Sequence, residues 1–215
     1  MHQSRQRFIF YVSGIIIMTF GIALTIRSLM GTSPFDALLV GLFQTFGLTI
    51  GSWEIVVGLV LVLFNAAAQR RKLEYFALLT SLITGMGIDL WLFVLGDSIS
   101  PLTLFGQAAC LILGVGIVGL GVAVNLQADF APNPMDRSML VINQLTGLNV
   151  AISRAIISLV LVILAFLFGG PIGIGTLFSA LITGVFIKFF MPYTARLNKG
   201  KGTDPASGDE TPIIH

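Results

Sequence analysis

The sequence predicts an all-α integral membrane protein of six transmembrane helices, arranged as two inverted three-helix repeats that each carry a short re-entrant or half helix. Three observations lead there: the composition, a self-similarity at fixed offset, and the placement of Lys and Arg. Of 215 residues, 55% are apolar and only 10% are charged, whereas a soluble domain carries about a quarter charged residues because its surface must meet water. The mean hydropathy is +0.95. A surface of that composition faces lipid.

Taken in order, the long apolar segments fall near 8–27, 50–69, 74–95, 103–125, 149–169 and 173–192. Each approaches the roughly 20 residues that carry a helix across about 30 Å of hydrocarbon. The first follows a basic start, as a signal peptide would, but it is too long and no small-x-small cleavage site follows. Two shorter segments, 34–46 and 133–146, rise only about 20 Å as helices, too little to cross. With those two left out of the count, Arg5 and Arg7, Arg70, Arg71 and Lys72, and Arg196, Lys199 and Lys201 all fall on one side. The positive-inside rule makes that side cytoplasmic. If the short segments spanned, the central cluster would fall outside.

The chain repeats itself. Residues 21–62 align without gaps onto 121–162. Gly21, Ala23, Pro34, Asp36, Gln44, Gly47 and Leu48 recur as Gly121, Ala123, Pro134, Asp136, Gln144, Gly147 and Leu148. After one deletion, Thr84-Gly85 recurs as Thr183-Gly184. Three spans per unit is an odd number, so the second copy is expected to be inverted, an arrangement common in transporters. The expected organisation is a cytoplasmic N-terminus 1–7, a first repeat 8–96, a second repeat 97–194 and a disordered cytoplasmic tail 195–215.

Ser33 and Asn133 are suited to cap the short helices, with Pro34 and Pro134 at the first helical position, where a missing N–H costs nothing. Asp36 and Asp136 fall in the first turn, able to reach back to the cap and meet the positive helix end. Capping alone explains this pattern. A functional reading adds location. Both short segments read as apolar nearly all round, unlike surface-lying helices, and stretches 27–33 and 126–132 could run extended into the membrane ahead of them. Inversion would then bring both helix starts to a shared site offering backbone N–H groups, Thr32, Ser33, Asp36, Asn133 and Asp136, with Gln44 and Gln144 further along the same pathway. The sign of the solute stays open.

Other charges lie in apolar surroundings. Counting helical rise places Arg27 level with Asp89 and Asp129 level with Lys188, which suggests two ion pairs with charges exchanged between the repeats; snorkelling of Arg27 and Lys188 is the plainer alternative. Glu54 and Arg154 are equivalent in the repeat and are read as solvated helix starts. The single Cys110 sits inside an apolar run with no ligand company, and His2 and His215 lie at the termini, so neither metal nor cofactor is expected. A net charge of +2 gives no reason to expect nucleic acid. The expected partners are the lipid bilayer, a small solute or ion, and either a second copy or another membrane protein.

Gly-x-Ala-Leu from Gly21, then Gly31-x-Ser33-Pro34-Phe35-Asp36, then Gly47-x-x-x-Gly51 and a long apolar run resemble the YczE/YyaS/YitT group of bacterial membrane proteins, the YczE branch most closely. The likeness covers most of residues 8–192. It implies a multi-span fold in a bacterial plasma membrane and carries over no functional residue.

Three function classes follow. A transporter or channel rests on the repeat and the paired short helices. A non-transporting membrane partner or regulatory subunit needs only helix contacts in lipid. An intramembrane enzyme has only the Asp36/Asp136 pair to offer, with no His-Glu-x-x-His, no Gly-x-Ser-x-Gly and no phosphate loop, so no catalysis is expected.

Overall fold

A computed structural model describes residues 2–70, 72–96, 99, 101–130 and 133–199. Among them the chain is all helical: α1 (His2–Arg27), α2 (Pro34–Phe46), α3 (Ile50–Gln69), α4 (Tyr75–Leu95), α5 (Leu104–Leu126), α6 (Pro134–Thr146), α7 (Val150–Leu167) and α8 (Ile174–Lys199). Six of these are long and apolar enough to cross a membrane. Within lipid, a helix is the open-chain solution that satisfies its own backbone groups. The ends are closed locally: Thr49, Thr103 and Asn149 accept hydrogen bonds from the first turns of α3, α5 and α7.

α8 continues through Pro192 to Lys199, so the first residues of the expected disordered tail are helical; residues 200–215 lie outside the described chain. At the other end, α1 begins at His2, so the basic N-terminal segment is helical ahead of the candidate span, which starts at Arg5.

α1 and α5 form the centre. Gly14 lies against Asn125, Gly21 against Val118, Gly114 against Thr25 and Gly121 against Met18, so close that an added Cβ would stand 2.4–2.9 Å from the facing backbone. Small residues let helices in lipid approach closely enough to pack well without a hydrophobic driving force. Around this pair α4 packs on α1 and α8 on α5; α2 packs on α7 and α6 on α3; α2 also meets α3, and α6 meets α7. Each of these contacts has its counterpart when the two repeats are exchanged.

One contact does not. α3 and α4 form an extensive interface, whereas α7 and α8 form none to match it. On the closed side an added Cβ on Gly85 would stand 2.4 Å from the Gly51 carbonyl, and one on Gly58 would stand 2.2 Å from Ser81 Oγ. On the open side the counterpart of Gly85, Gly184, has nothing within 4 Å.

Candidate functional site

The connection from α1 to α2 folds back instead of running extended. Leu29 and Gly31 adopt φ of 60° and 99°, and Thr32 returns to the level of Thr25, with 2.8 Å between their hydroxyls. Gly31 is required by its left-handed backbone, and the turn is pinned where the Gly175 N–H donates to the Met30 carbonyl at 2.9 Å. α2 then starts with a cap in which Ser33 and Asp36 bond each other twice. The Asp36 N–H donates to Ser33 Oγ at 3.2 Å, and Ser33 Oγ donates to the Asp36 carboxylate at 2.6 Å. At α6, the Asn133 side chain accepts from the Met135 N–H at 3.1 Å. The two caps expected from sequence are formed.

α6 begins beside α3, one of the six helices long and apolar enough to cross a membrane. The Asn65 side chain of α3 donates to the Pro134 carbonyl at 3.3 Å, and Pro134 lies beneath Gly58, near the middle of α3. The opening of α2 lies beside Glu54, on the second turn of the same helix.

Both helix starts line one cavity of about 460 Å³. Ser33, Pro34 and Asp36 contribute from α2, and Asn133, Met135 and Asp136 from α6. α1, α5, Thr80 of α4 and the facing sides of α7 and α8 complete the wall, and the cavity extends into the gap where α7 and α8 do not pack together. Asp36 is 7% exposed and bonded to its cap, whereas Asp136 exposes its side chain to the cavity. Thr32 is buried behind the wall on Thr25. Gln44 and Gln144 do not join the site. They sit ten positions along α2 and α6, about 15 Å from the helix starts, both exposed, with Gln144 accepting from Gln69.

Several expectations are corrected here. Asp89 does not pair with Arg27. Its carboxylate accepts from Thr49 Oγ1 at 2.6 Å and from the Gly51 N–H at 2.8 Å, which makes it an outside cap for α3, while Arg27 donates to the Leu92 carbonyl at 3.3 Å. Asp129 pairs with Arg7 at 3.4 Å, both side chains largely exposed, and Lys188 lies exposed on α8. Counting rise along a helix gives height but not rotation, which decided the case of Asp89; Asp129 lies beyond the end of α5, with a left-handed φ of 50°, so helical rise does not apply to it. α6 is not apolar nearly all round: only Pro134, Ser138 and Val141 are buried, and Arg137 forms an ion pair with Glu74. α2, by contrast, buries every residue from Pro34 to Leu42.

Glu54 is not a solvated helix start, whereas Arg154 is exposed as expected, on the side that faces the cavity. Glu54 is 1% exposed, with Asp36, Ser81 and Asn133 among its polar neighbours, and its Oε1 has no hydrogen-bond partner. The face it shares with Gly51, Gly58, Val62 and Asn65 is the buried face of α3. That run of small and polar residues at helical spacing was the available sign that Glu54 points inward.

Six apolar spans and two capped half-helices meeting at an internal cavity define a multi-pass membrane protein. Residues 5–192 match the model of a family of unknown function, DUF6198, and the chain belongs to that family. It is 43% identical to YyaS of Bacillus subtilis over 191 residues, 89% of this chain and 95% of the relative. It is 36% identical to the membrane protein YczE of the same organism over 211 residues, 97% of each chain. A Haemophilus influenzae protein is 25% identical over 181 residues, 84% of this chain and 81% of its own. Identity thus favours YyaS and coverage YczE, and the expected group holds. No solved structure matches the chain.

Proposed function

We propose that this protein is a transporter or channel for a small polar solute or ion, and that the cavity between the starts of α2 and α6 is its pathway. The observation that supports this is the meeting of Asp36 and Asp136, each in the first turn of a capped helix, on one cavity of about 460 Å³. Ionisable groups inside a membrane are costly and characteristically line solute and ion routes. Non-helical backbone such as the α1–α2 turn is tolerated at depth where it is buried in protein or lines a wet space.

The repeats are read as inverted, with both termini on the cytoplasmic side of the plasma membrane, because that arrangement gathers the Lys and Arg clusters on one face. In such a fold the closed α3–α4 seam and the open α7–α8 side are two halves of one cycle, and transport exchanges them. No catalytic chemistry is assigned.

The test is flux into proteoliposomes containing the purified protein, across a panel of small solutes and ions. Uptake is expected in the wild type and is expected to fall at least about ten-fold in Asp36→Ala and Asp136→Ala, a loss of about 1.4 kcal/mol. Absence of flux across the panel, together with stable co-purification of one membrane partner, would replace this reading with that of a regulatory subunit.

A further inference from the structure

Asp136 and Arg154 share the cavity and lie within electrostatic range of each other, yet among the described residues neither has a hydrogen bond or ion pair, to the other or to any other group. An aspartate and an arginine left open in this way keep their charge-assisted hydrogen-bonding capacity for a third group. Ser179 on the facing helix also lines the cavity; the residue is 3% exposed, and its hydroxyl has no hydrogen-bond partner. A buried hydroxyl without a partner is the kind of group a ligand satisfies. Asp36, in contrast, is already bonded to Ser33.

The rest of the wall is mixed: Met18, Val118, Met135, Met139 and Ile187 give it an aliphatic and thioether part, beside polar groups such as Asn125 and Ser158. A bare inorganic ion carries one sign of charge and would satisfy only one of Asp136 and Arg154. A volume of about 460 Å³ lies in the range of about 300–1,000 Å³ typical of sites for small organic molecules.

We infer that the cavity binds a zwitterion of the aliphatic α-amino-acid class, its carboxylate on Arg154, its ammonium on Asp136 and its side chain against the methionine-lined wall. Ser179 completes the shell of the charged end. This rests on the transport reading and names the solute for the same site. A ligand bearing both charges satisfies both residues at once; a ligand with one charge leaves a desolvated group opposite it unpaired.

The experiment is binding of radiolabelled leucine to the purified full-length protein in detergent, with competition by valine, methionine, isocaproate (which lacks the amine) and isoamylamine (which lacks the carboxylate). Leucine is expected to bind, valine and methionine to displace it, and each single-charge analogue to compete about thirty-fold less well or worse. Arg154→Gln and Asp136→Asn are each expected to weaken leucine binding by a similar factor while eluting as a single symmetric peak. Should either variant fail to fold, Ser179→Ala, with an expected loss of about five-fold, and the wild-type competition series decide the matter. If leucine fails to bind while isoamylamine or isocaproate does, or while the proteoliposomes pass some other solute, the zwitterion assignment falls and the pathway stands. If no probe binds and no solute crosses, both fall together.

Discussion

The α3–α4 seam and the α7–α8 side are made from equivalent segments of the two repeats, yet one is shut and the other is open. On the shut side Ser81, Thr84 and Ile88 of α4 are buried away from the cavity. Their counterparts on α8, Ala180, Thr183 and Ile187, all line it. The sequence difference is small: Gly51 and Gly58 of α3 become Ala151 and Ser158 on α7, and Glu54 becomes Arg154. Two added side chains, at the positions where α3 touches α4, make the same close approach costlier on the α7–α8 side without barring it. The shut side is thus held by a few absent Cβ atoms at the helix contact.

Substitutions that should act on one side only give the means to break that comparison. Gly85→Leu drives a side chain into the Gly51 carbonyl and is expected to cost about 3 kcal/mol or more, read as a large fall in thermal stability of the purified protein. Gly184→Leu enters open space and is expected to leave the midpoint unchanged. Equal losses in the two variants would mean that the two sides pack alike in the real membrane. A smaller contrast is expected one turn along. Asp89→Ala removes the acceptor for Thr49 and Gly51 and is expected to cost about 1–2 kcal/mol; Lys188→Ala, at an exposed site, is expected to change stability by no more than about 0.5 kcal/mol.

The mildest perturbation sharpens the comparison without touching stability. In a Cys110→Ala background, a cysteine at Ala180 is expected to react with small thiol reagents, and a cysteine at the buried Ser81 to be protected. Rapid labelling at both positions would show the α3–α4 seam to be open in solution.

Much of this was legible in the sequence, and what was not has a common cause. Span number, the two short helices and their caps are local properties, set by segment length, hydropathy and Ser-Pro or Asn-Pro pairs, so Ser33-Pro34 and Asn133-Pro134 could be read directly. The charge partners could not. Asp89 and Arg27 stand at similar heights, but Asp89 is turned toward Thr49 and Gly51, and only packing between helices fixes that rotation. Glu54 was taken for a solvated residue because it stands near a helix start, although the buried side of its helix passes through it. Gln44 and Gln144 repeat faithfully yet lie away from the cavity, so recurrence in the two halves marks common descent of the segment as well as common use.

The glycine contact between α1 and α5 also has a consequence in time. Gly21 lies against Gly114 and Val118, partners separated from it by close to half of the chain. During synthesis at roughly 5–20 residues per second, α1 has entered the bilayer on the order of ten seconds before α5 exists. Throughout that interval a flat glycine face stands against lipid with nothing to pack on, and the first half of the protein cannot reach its final arrangement. Assembly of this molecule has to wait for its fifth helix, so the insertion machinery, or the lipid itself, must keep the first helix uncommitted until then.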